Sequence, residues 1–193
     1  IRLSLVGSEM CIRDRDDIKT ITMLLASPDV RILAITVSPG VLPAENAYVK
    51  VKSLLNSFYH EGLPVGINRN DKYKSKDFTI ALENKWGNEE GISSENAPDA
   101  IPLIKEIFSA EKTKISFINL GSMSTAWSAL NGLASFREQV KEFIWSADGA
   151  EDTKGFNYNI DKNAAARMLK QEIPVKIVRS INLGDNDFYD SEL

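Results

Sequence analysis

Cysteine and histidine are almost absent from this chain, which contains one of each, Cys11 and His60, among its 193 residues. A single cysteine permits no internal disulfide and no cysteine metal cluster. The sequence also has no G-x-G-x-x-G and no G-x-x-x-x-G-K-[ST] segment, so dinucleotide and P-loop sites have no support. Its chemistry must therefore come from other residue types, chiefly carboxylates, amides and hydroxyls.

Long apolar runs and basic clusters are missing as well. No segment approaches the roughly 20 consecutive apolar residues that a bilayer span needs, so we expect no membrane association. The formal net charge is -4, and the positive charges are scattered singly, which argues against a nucleic-acid polymer as partner. What is present is 43% hydrophobic residues, enough for one globular α/β domain with a sizeable core.

Both ends of the chain are unusual. Residues 4–15, SLVGSEMCIRDR, resemble the translated read-through of a sequencing adapter, and they show no sustained helical or strand period. The other end stops after an acidic tail without a closing helix or strand. We therefore expect residues 1–15 to be a non-native leader, and residues 16–193 to be part of a domain whose C-terminal part is missing.

From Asp17 onward, helical and strand patterns alternate regularly. Apolar residues at helical spacing predict a first helix that ends at Ser27-Pro28-Asp29, and a longer helix that carries Ala47 to Phe58. Further helices are predicted at 100–110, 124–130 and 161–171, and strands at 32–37, 65–67, 115–120, 143–145 and 175–178. Residues 72–94 are polar and irregular, as in a functional loop. The alternation predicts a mostly parallel, open α/β sheet with helices on both faces.

The acidic pair Asp16-Asp17 lies where the first strand would lead into the first helix. In parallel sheets this is the ligand-binding edge. Carboxylates at a helix N-terminus face a partial positive charge, and hard cations such as calcium bind several carboxylate oxygens at once. The alternative is that one of the two merely caps the helix. Spacing alone leaves both interpretations open.

Three blocks in order resemble the inosine-uridine type nucleoside hydrolases. The segment DDIKTITMLLASPDVRILAITVSPG from Asp16 is similar to the opening of that family, where D-x-D-x-x-x-D-D closes a strand and T-x-x-G ends the next. NLGSMSTAWSAL at 119–130 is similar to the family's G-P-L-T-N loop and helix. FNYNIDKNAAARML at 156–169 is similar to its E-F-N-x-x-x-D-P-x-A-A segment.

This resemblance implies a Rossmann-like fold and hydrolysis of the N-glycosidic bond of ribonucleosides, with a water held by Ca2+ and with ribose and free base as products. It further implies a part in purine or pyrimidine salvage and a homodimer or homotetramer. A cytoplasmic location is favoured, and a periplasmic one stays open because the native N-terminus is expected to be missing.

The resemblance also assigns roles to individual residues. Asp17 would bind the metal through its side chain, and Ser124 would bind it through its main-chain carbonyl. Asp16 and Asn157 would contact ribose, which suits an amide because it can both donate and accept. Without the resemblance, Asn157 would be interpreted as a turn residue before a helix.

Several positions depart from the family pattern. The first two aspartates of the motif, one of which supplies the general base, would fall at Met10 and Ile12. Val41, Thr125 and Gly155 replace an Asn, an Asn and a Glu. We therefore expect the chain as given to be inactive, and we keep a catalytically inactive sugar- or nucleoside-binding protein as the alternative function.

Other candidate residues have simpler interpretations. Trp86 in the long loop could stack on a nucleobase, and anchoring that loop on the core is at least as well supported. Trp127 and Trp145 are predicted to be core residues. His60, near the end of the long helix, is expected to be solvated or to interact with the helix C-terminus. Asp161 is expected to cap a helix.

Overall fold

The computed structural model describes residues 2–6, 16–74, 82–147 and 155–178, with backbone only for residues 2–6 and Asp16. The described residues form six strands, which pair into one sheet with the order β3-β2-β1-β4-β5-β6. All five pairings are parallel. The strands are β1 Arg2–Val6, β2 Arg31–Val37, β3 Val65–Ile67, β4 Ile115–Asn119, β5 Val140–Ser146 and β6 Val175–Val178. The predicted parallel α/β sheet is thus confirmed.

Helices connect successive strands and cover both faces of the sheet. They are α1 Asp16–Ala26, α2 Ala44–Ser57, α3 Ala100–Ala110, α4 Ser124–Gly132, α5 Phe136–Gln139, α6 Phe156–Ile160 and α7 Lys162–Met168. Asp161 caps α7 as predicted, because its Oδ1 accepts a hydrogen bond from the backbone N–H of Ala164 at 2.8 Å. No helix in the described part of the chain is long and apolar enough to cross a membrane.

The main differences from the predicted helices and strands after Asp16 concern β5, α5 and α7. Strand β5 begins at Val140 rather than at residue 143, because Lys141 and Glu142 interrupt the apolar run without interrupting the strand. Helix α5 has four residues, too few to show a helical period in the sequence. The helix predicted at 161–171 is the shorter α7, and α6 precedes it.

Strand β1 lies in the middle of the sheet, between β2 and β4. Leu3 is in register with Ile32 on one side and with Ser116 on the other. Residues 2–6, which the sequence assigns to a leader, therefore form a central strand of the sheet. The non-native origin of residues 1–15 stays a prediction.

Two hydrophobic cores lie on opposite faces of the sheet. The first joins α1 and α2 to the sheet, and it includes Ile21, Val51 and Leu55. The second lies under α3, α4 and α7 and is rich in aromatic residues. Trp145 is fully buried there, so its prediction as a core residue is confirmed. Each core buries one helix layer against the sheet.

A buried lysine on α2 holds part of the long loop before α3. Lys50 is 2% exposed, and its Nζ donates to the carbonyls of Leu82 at 3.1 Å and Asn84 at 2.5 Å. It also donates to Glu89 Oε1 at 3.1 Å. These three oxygens offset the cost of burying the ammonium group. The loop predicted as irregular is therefore fastened to α2 along residues 82–89.

Gly87 allows this loop to approach α2 closely. A Cβ at Gly87 would lie 2.5 Å from the carbonyl oxygen of Ser53, which belongs to the α2 backbone and cannot move aside. We predict that Gly87→Ala lowers the free energy of unfolding by about 1–3 kcal/mol, as overpacking does. Urea denaturation checks this. Gly62→Ala is the matched control, since a Cβ at Gly62 meets nothing within 4 Å. Equal midpoints for the two variants would contradict the prediction.

Glu142 gives the stability of the fold a dependence on pH. Lys176 Nζ at 2.6 Å and the Ser116 hydroxyl at 2.9 Å lower the pKa of the Glu142 carboxyl below its ordinary value of 4.5. A folded pKa below the unfolded one stabilises the fold at neutral pH, and the effect is lost as the pH falls through the folded pKa.

We predict that Glu142→Gln lowers the free energy of unfolding by about 1.5 kcal/mol at neutral pH, the magnitude expected for a charged hydrogen bond, and by progressively less as the pH falls through the folded pKa, which lies below 4.5. Denaturation curves across this pH range measure the difference. The exposed Glu106→Gln on α3 is the control. A loss of stability that does not change with pH would show that the carboxylate charge of Glu142 is not responsible.

Candidate functional site

The strand order places a switch point between β1 and β4. From β1, the chain runs outward through β2 and β3 on one side and through β4, β5 and β6 on the other. In sheets of this kind, ligands bind at the carboxyl ends of the strands at that point. Helix α1 begins after β1, and α4 begins after β4. Their first turns, which carry Asp17 and Ser124, therefore flank the expected site.

Asp17 lies in the first turn of α1 and is 6% exposed. The partial positive charge of the helix N-terminus favours its ionised form, which makes a buried carboxylate tolerable there. Asp16 is the first residue of the same helix, and its side chain lies outside the described residues. The structure therefore places Asp17 at the predicted edge, and the metal and ribose roles of the pair stay predictions.

Ser124 is the first residue of α4 and takes part in a polar network that the sequence did not predict. Its hydroxyl donates to the carboxylate of Asp71, and it lies 2.8 Å from the hydroxyl of Ser122. Asp71 also accepts a hydrogen bond from the backbone N–H of Tyr73 at 2.9 Å. A signal for Asp71 was present, since it follows β3 by four residues in the polar run N-R-N-D.

Side-chain hydrogen bonds connect the segment after β3, residues 68–74, to α4 and to the start of α3. Asn68 Nδ2 donates to Thr125 Oγ1 at 2.9 Å, and both side chains are buried. Arg69 Nη1 lies 2.5 Å from Asp99 Oδ1, next to the start of α3. Thr125 occupies the position where the resemblance expects Asn, and here its hydroxyl accepts a hydrogen bond from the neighbouring loop.

Asn157 lies at the same edge, inside α6 rather than in a turn. It is 2% exposed, and its Nδ2 donates to the carbonyls of Leu120 at 2.8 Å and Ser146 at 3.0 Å. These contacts tie the ends of β4 and β5 together. Its Oδ1 has no hydrogen-bond partner among the described residues, so acceptance is the capacity that remains. Its ribose contact stays a prediction.

The departures from the family pattern have distinct places in the structure. Val41 is buried in the first core, where its side chain packs among apolar residues. Gly155 is the N-cap residue of α6. Met10 and Ile12 lie outside the described residues.

The three tryptophans and the histidine differ in burial and in their distance from the candidate site. Trp86 is 7% exposed and belongs to the first core, which favours loop anchoring over stacking on a base. Trp127 is half-buried and packs against the second core, and it also borders a cavity of about 440 Å³. His60 follows the end of α2 and lines a separate cavity of about 470 Å³ beside the start of β2. That cavity lies at the opposite edge of the sheet from Asp17 and Ser124.

Metal binding can be judged from the donor atoms. Among the side chains that the structure describes, no three His, Cys, Asp or Glu residues are grouped so as to hold a metal ion. The Asp17 carboxylate and the Ser124 carbonyl are oxygens of the kind that calcium prefers. Calcium binds about six to eight such oxygens. These two groups are therefore suitable ligands, and they supply only part of the coordination shell.

Solved structures share this fold. The inosine-uridine preferring nucleoside hydrolase from Bacillus anthracis has a TM-score of 0.73 and 16% identity, over 92% of this chain and 64% of its own. The purine-preferring ribonucleoside hydrolase from Gardnerella vaginalis has a TM-score of 0.73 and 15% identity, over 93% and 60%. A plant nucleoside hydrolase has a TM-score of 0.72 and 18% identity, over 92% and 59%. The chain thus spans between 59% and 64% of the length of these structures.

Sequence comparison gives the family. No curated protein matches the chain. The model of the family described as inosine-uridine preferring nucleoside hydrolase matches residues 14–186, which is most of the 193 residues. The match includes all three blocks of resemblance, together with Asp17, Ser124 and Asn157. This chain belongs to the inosine-uridine preferring nucleoside hydrolase family.

Proposed function

We propose that the protein containing this chain hydrolyses the N-glycosidic bond of ribonucleosides and releases ribose and the free base. The observation that carries this proposal is the family match over residues 14–186. It is supported by the sheet edge, where Asp17 and Ser124 flank the switch point and Asn157 lies between the ends of β4 and β5. These polar groups support the proposed reaction class, and their roles in it are part of the proposal.

The chemistry calls for acceptors and for an activated water. Cleavage of an N-ribosidic bond passes through an oxocarbenium-like state, in which contacts to the sugar hydroxyls strengthen. The Asn157 Oδ1 can accept from a ribose hydroxyl, while its Nδ2 stays bound to two backbone carbonyls. Because those two bonds fix the amide, little ordering would be required when the sugar binds. Asp16 is proposed as the second ribose contact.

Calcium is the proposed cofactor. The Asp17 carboxylate and the Ser124 main-chain carbonyl would contribute to its shell, with other oxygens required to complete it. When bound, a divalent cation lowers the pKa of the water that it coordinates and also coordinates two hydroxyls of the sugar. The contribution of this chain is to bury Asp17 at a helix N-terminus, where an ionised carboxylate is favoured.

A second candidate is a nucleoside- or sugar-binding protein without catalysis. It is favoured by Val41, which is packed into the first core, and by Gly155, which offers no side chain where the resemblance expects a Glu. Binding requires fewer polar groups than hydrolysis, because only catalysis depends on stabilising the transition state. The two candidates therefore differ in turnover and not in ligand class.

Turnover distinguishes them. The gene encoding this chain, with any codons that flank it, is expressed and supplied with calcium, and release of reducing sugar from inosine and uridine is measured. We expect release that falls at least about 100-fold in Asn157→Ala, because a hydroxyl contact made in the transition state is lost. Asn159→Ala, also on α6 and exposed to solvent, is the matched control. Binding of nucleosides without any release would select the inactive binder.

Calcium binding can be tested in the chain itself. Met10→Asp together with Ile12→Asp restores the D-x-D spacing before Asp16. At a calcium concentration about 100-fold above the dissociation constant, we expect the melting temperature of the double variant to rise by about 5 °C or more. The parent chain should show no such rise. Adding Asp17→Asn to the double variant should remove it, and a calcium effect that survives this change would count against Asp17 as a ligand.

A further inference from the structure

We propose that the cavity beside α4 is a specificity site for a flat lactam base that carries adjacent N–H donors, as the guanine ring does, with Trp127 as the stacking surface and Asp71 as the acceptor. The cavity, called here the α4 cavity, measures about 440 Å³ and lies between residues 68–73, the first turns of α4 and the α6–α7 junction. This inference rests on the proposed function, since it assigns the base of the nucleoside.

Three parts of the wall of the α4 cavity are held by hydrogen bonds within the protein. Asn68 is bonded to Thr125 on one side, and Asp71 accepts the hydroxyl of Ser124 on the other. The junction wall is held by Asp161, which caps α7. A site whose lining is already ordered binds with a smaller entropic cost, which distinguishes a built cavity from a gap between loops.

Asp71 determines the hydrogen-bonding character of the α4 cavity. A carboxylate only accepts hydrogen bonds and has about four acceptor positions. Ser124 and the backbone N–H of Tyr73 use two of them. The remaining capacity suits a ligand edge with two neighbouring N–H groups, which a carboxylate can bind in a bidentate manner. A base with a single N–H at that edge would make only half of this contact.

Lys72 adds a donor next to this acceptor. It lines the α4 cavity and follows Asp71 in the chain, so a positive and a negative group border the same space. A guanine edge presents a carbonyl oxygen beside its N–H donors, and this order of acceptor and donors matches Lys72 and Asp71. Adenine lacks the ring N–H and the carbonyl, so its edge does not match this pair.

Trp127 supplies a flat surface in a fixed orientation. The Arg167 guanidinium on α7 lies 5.3 Å from the centre of its ring, which holds the indole through a cation–π contact. The ring is half-buried and borders the α4 cavity, whereas Trp86 and Trp145 are buried in the cores. Stacking of a base on an aromatic side chain is a sequence-tolerant source of affinity, so Trp127 would contribute binding and Asp71 would contribute selectivity.

Binding to the unmodified chain tests the proposal without requiring turnover. Guanosine, inosine and free ribose are titrated into the chain, with heat of binding and tryptophan fluorescence as the two readouts. Guanosine and inosine differ by the exocyclic amino group that completes the bidentate contact. We expect guanosine to bind about tenfold more tightly than inosine, as a good bidentate contact allows. It should also quench the fluorescence of Trp127, the tryptophan that is not buried.

Variants separate the two roles. Asp71→Asn should abolish the preference for guanosine. Trp127→Ala should weaken the binding of both nucleosides and remove the fluorescence quenching. Trp127→Phe should retain much of the binding. The exposed Glu106→Gln on α3 is the charge control and should change nothing. Far-UV circular dichroism verifies that each variant is folded.

Four results would overturn the proposal. The first three are equal affinity for guanosine and inosine, a preference that survives Asp71→Asn, and binding of neither nucleoside at millimolar concentration. The fourth is binding of free ribose with the same affinity as guanosine, since it would make the α4 cavity a sugar site. Failure here leaves the hydrolysis proposal standing if reducing sugar is released, and selective binding without release would leave this site standing alone.

Discussion

Parallel pairing brings the carboxyl ends of all six described strands to one edge of the sheet, and the arrangement of polar groups follows from this constraint. Apolar residues fill both faces, because helices cover both. Polar side chains that need water or one another as hydrogen-bond partners therefore gather at the edge of the sheet. Asn68, Asp71, Ser124 and Asn157 all lie there, on segments that follow different strands.

Burial makes these edge contacts specific. A buried amide or hydroxyl without a partner costs on the order of 1–3 kcal/mol, so each one constrains the backbone that it bonds. Asn68 selects the position of the segment after β3 by bonding Thr125, and Asn157 holds the ends of β4 and β5. The same bonds leave single acceptor groups directed by a rigid frame, which is what a ligand site requires.

The loop between β3 and α3 has contacts in two separate regions. Its first part borders the candidate site, and its later part is fastened to α2 by Lys50, with Trp86 in the first core and Gly87 against the α2 backbone. The contacts of Lys50, Trp86 and Gly87 fix the later part of the loop on α2, away from the candidate site.

The sequence by itself determined the order and type of most elements after Asp16, because hydrophobic periods of 3.6 and 2 are local properties that each longer helix and strand expresses alone. It predicted α3 and β6 with their observed bounds and identified Asp161 as a cap, while the metal and ribose roles of Asp17, Ser124 and Asn157 stay predictions. It did not predict α5, which is too short for a period, or the full length of β5, in which Glu142 is paired across the sheet with Ser116 and Lys176.

Only the tertiary structure decided which polar residues meet. Asp71 and Ser124 are 53 positions apart, and Lys50 and Glu89 are 39 apart, so no local pattern connects either pair. Tertiary structure also decided between the two interpretations of Trp86 in favour of the core, and it placed Trp127 beside a cavity. The reason is physical: burial and hydrogen bonding depend on the distances that folding creates between separate elements, and sequence separation does not encode them.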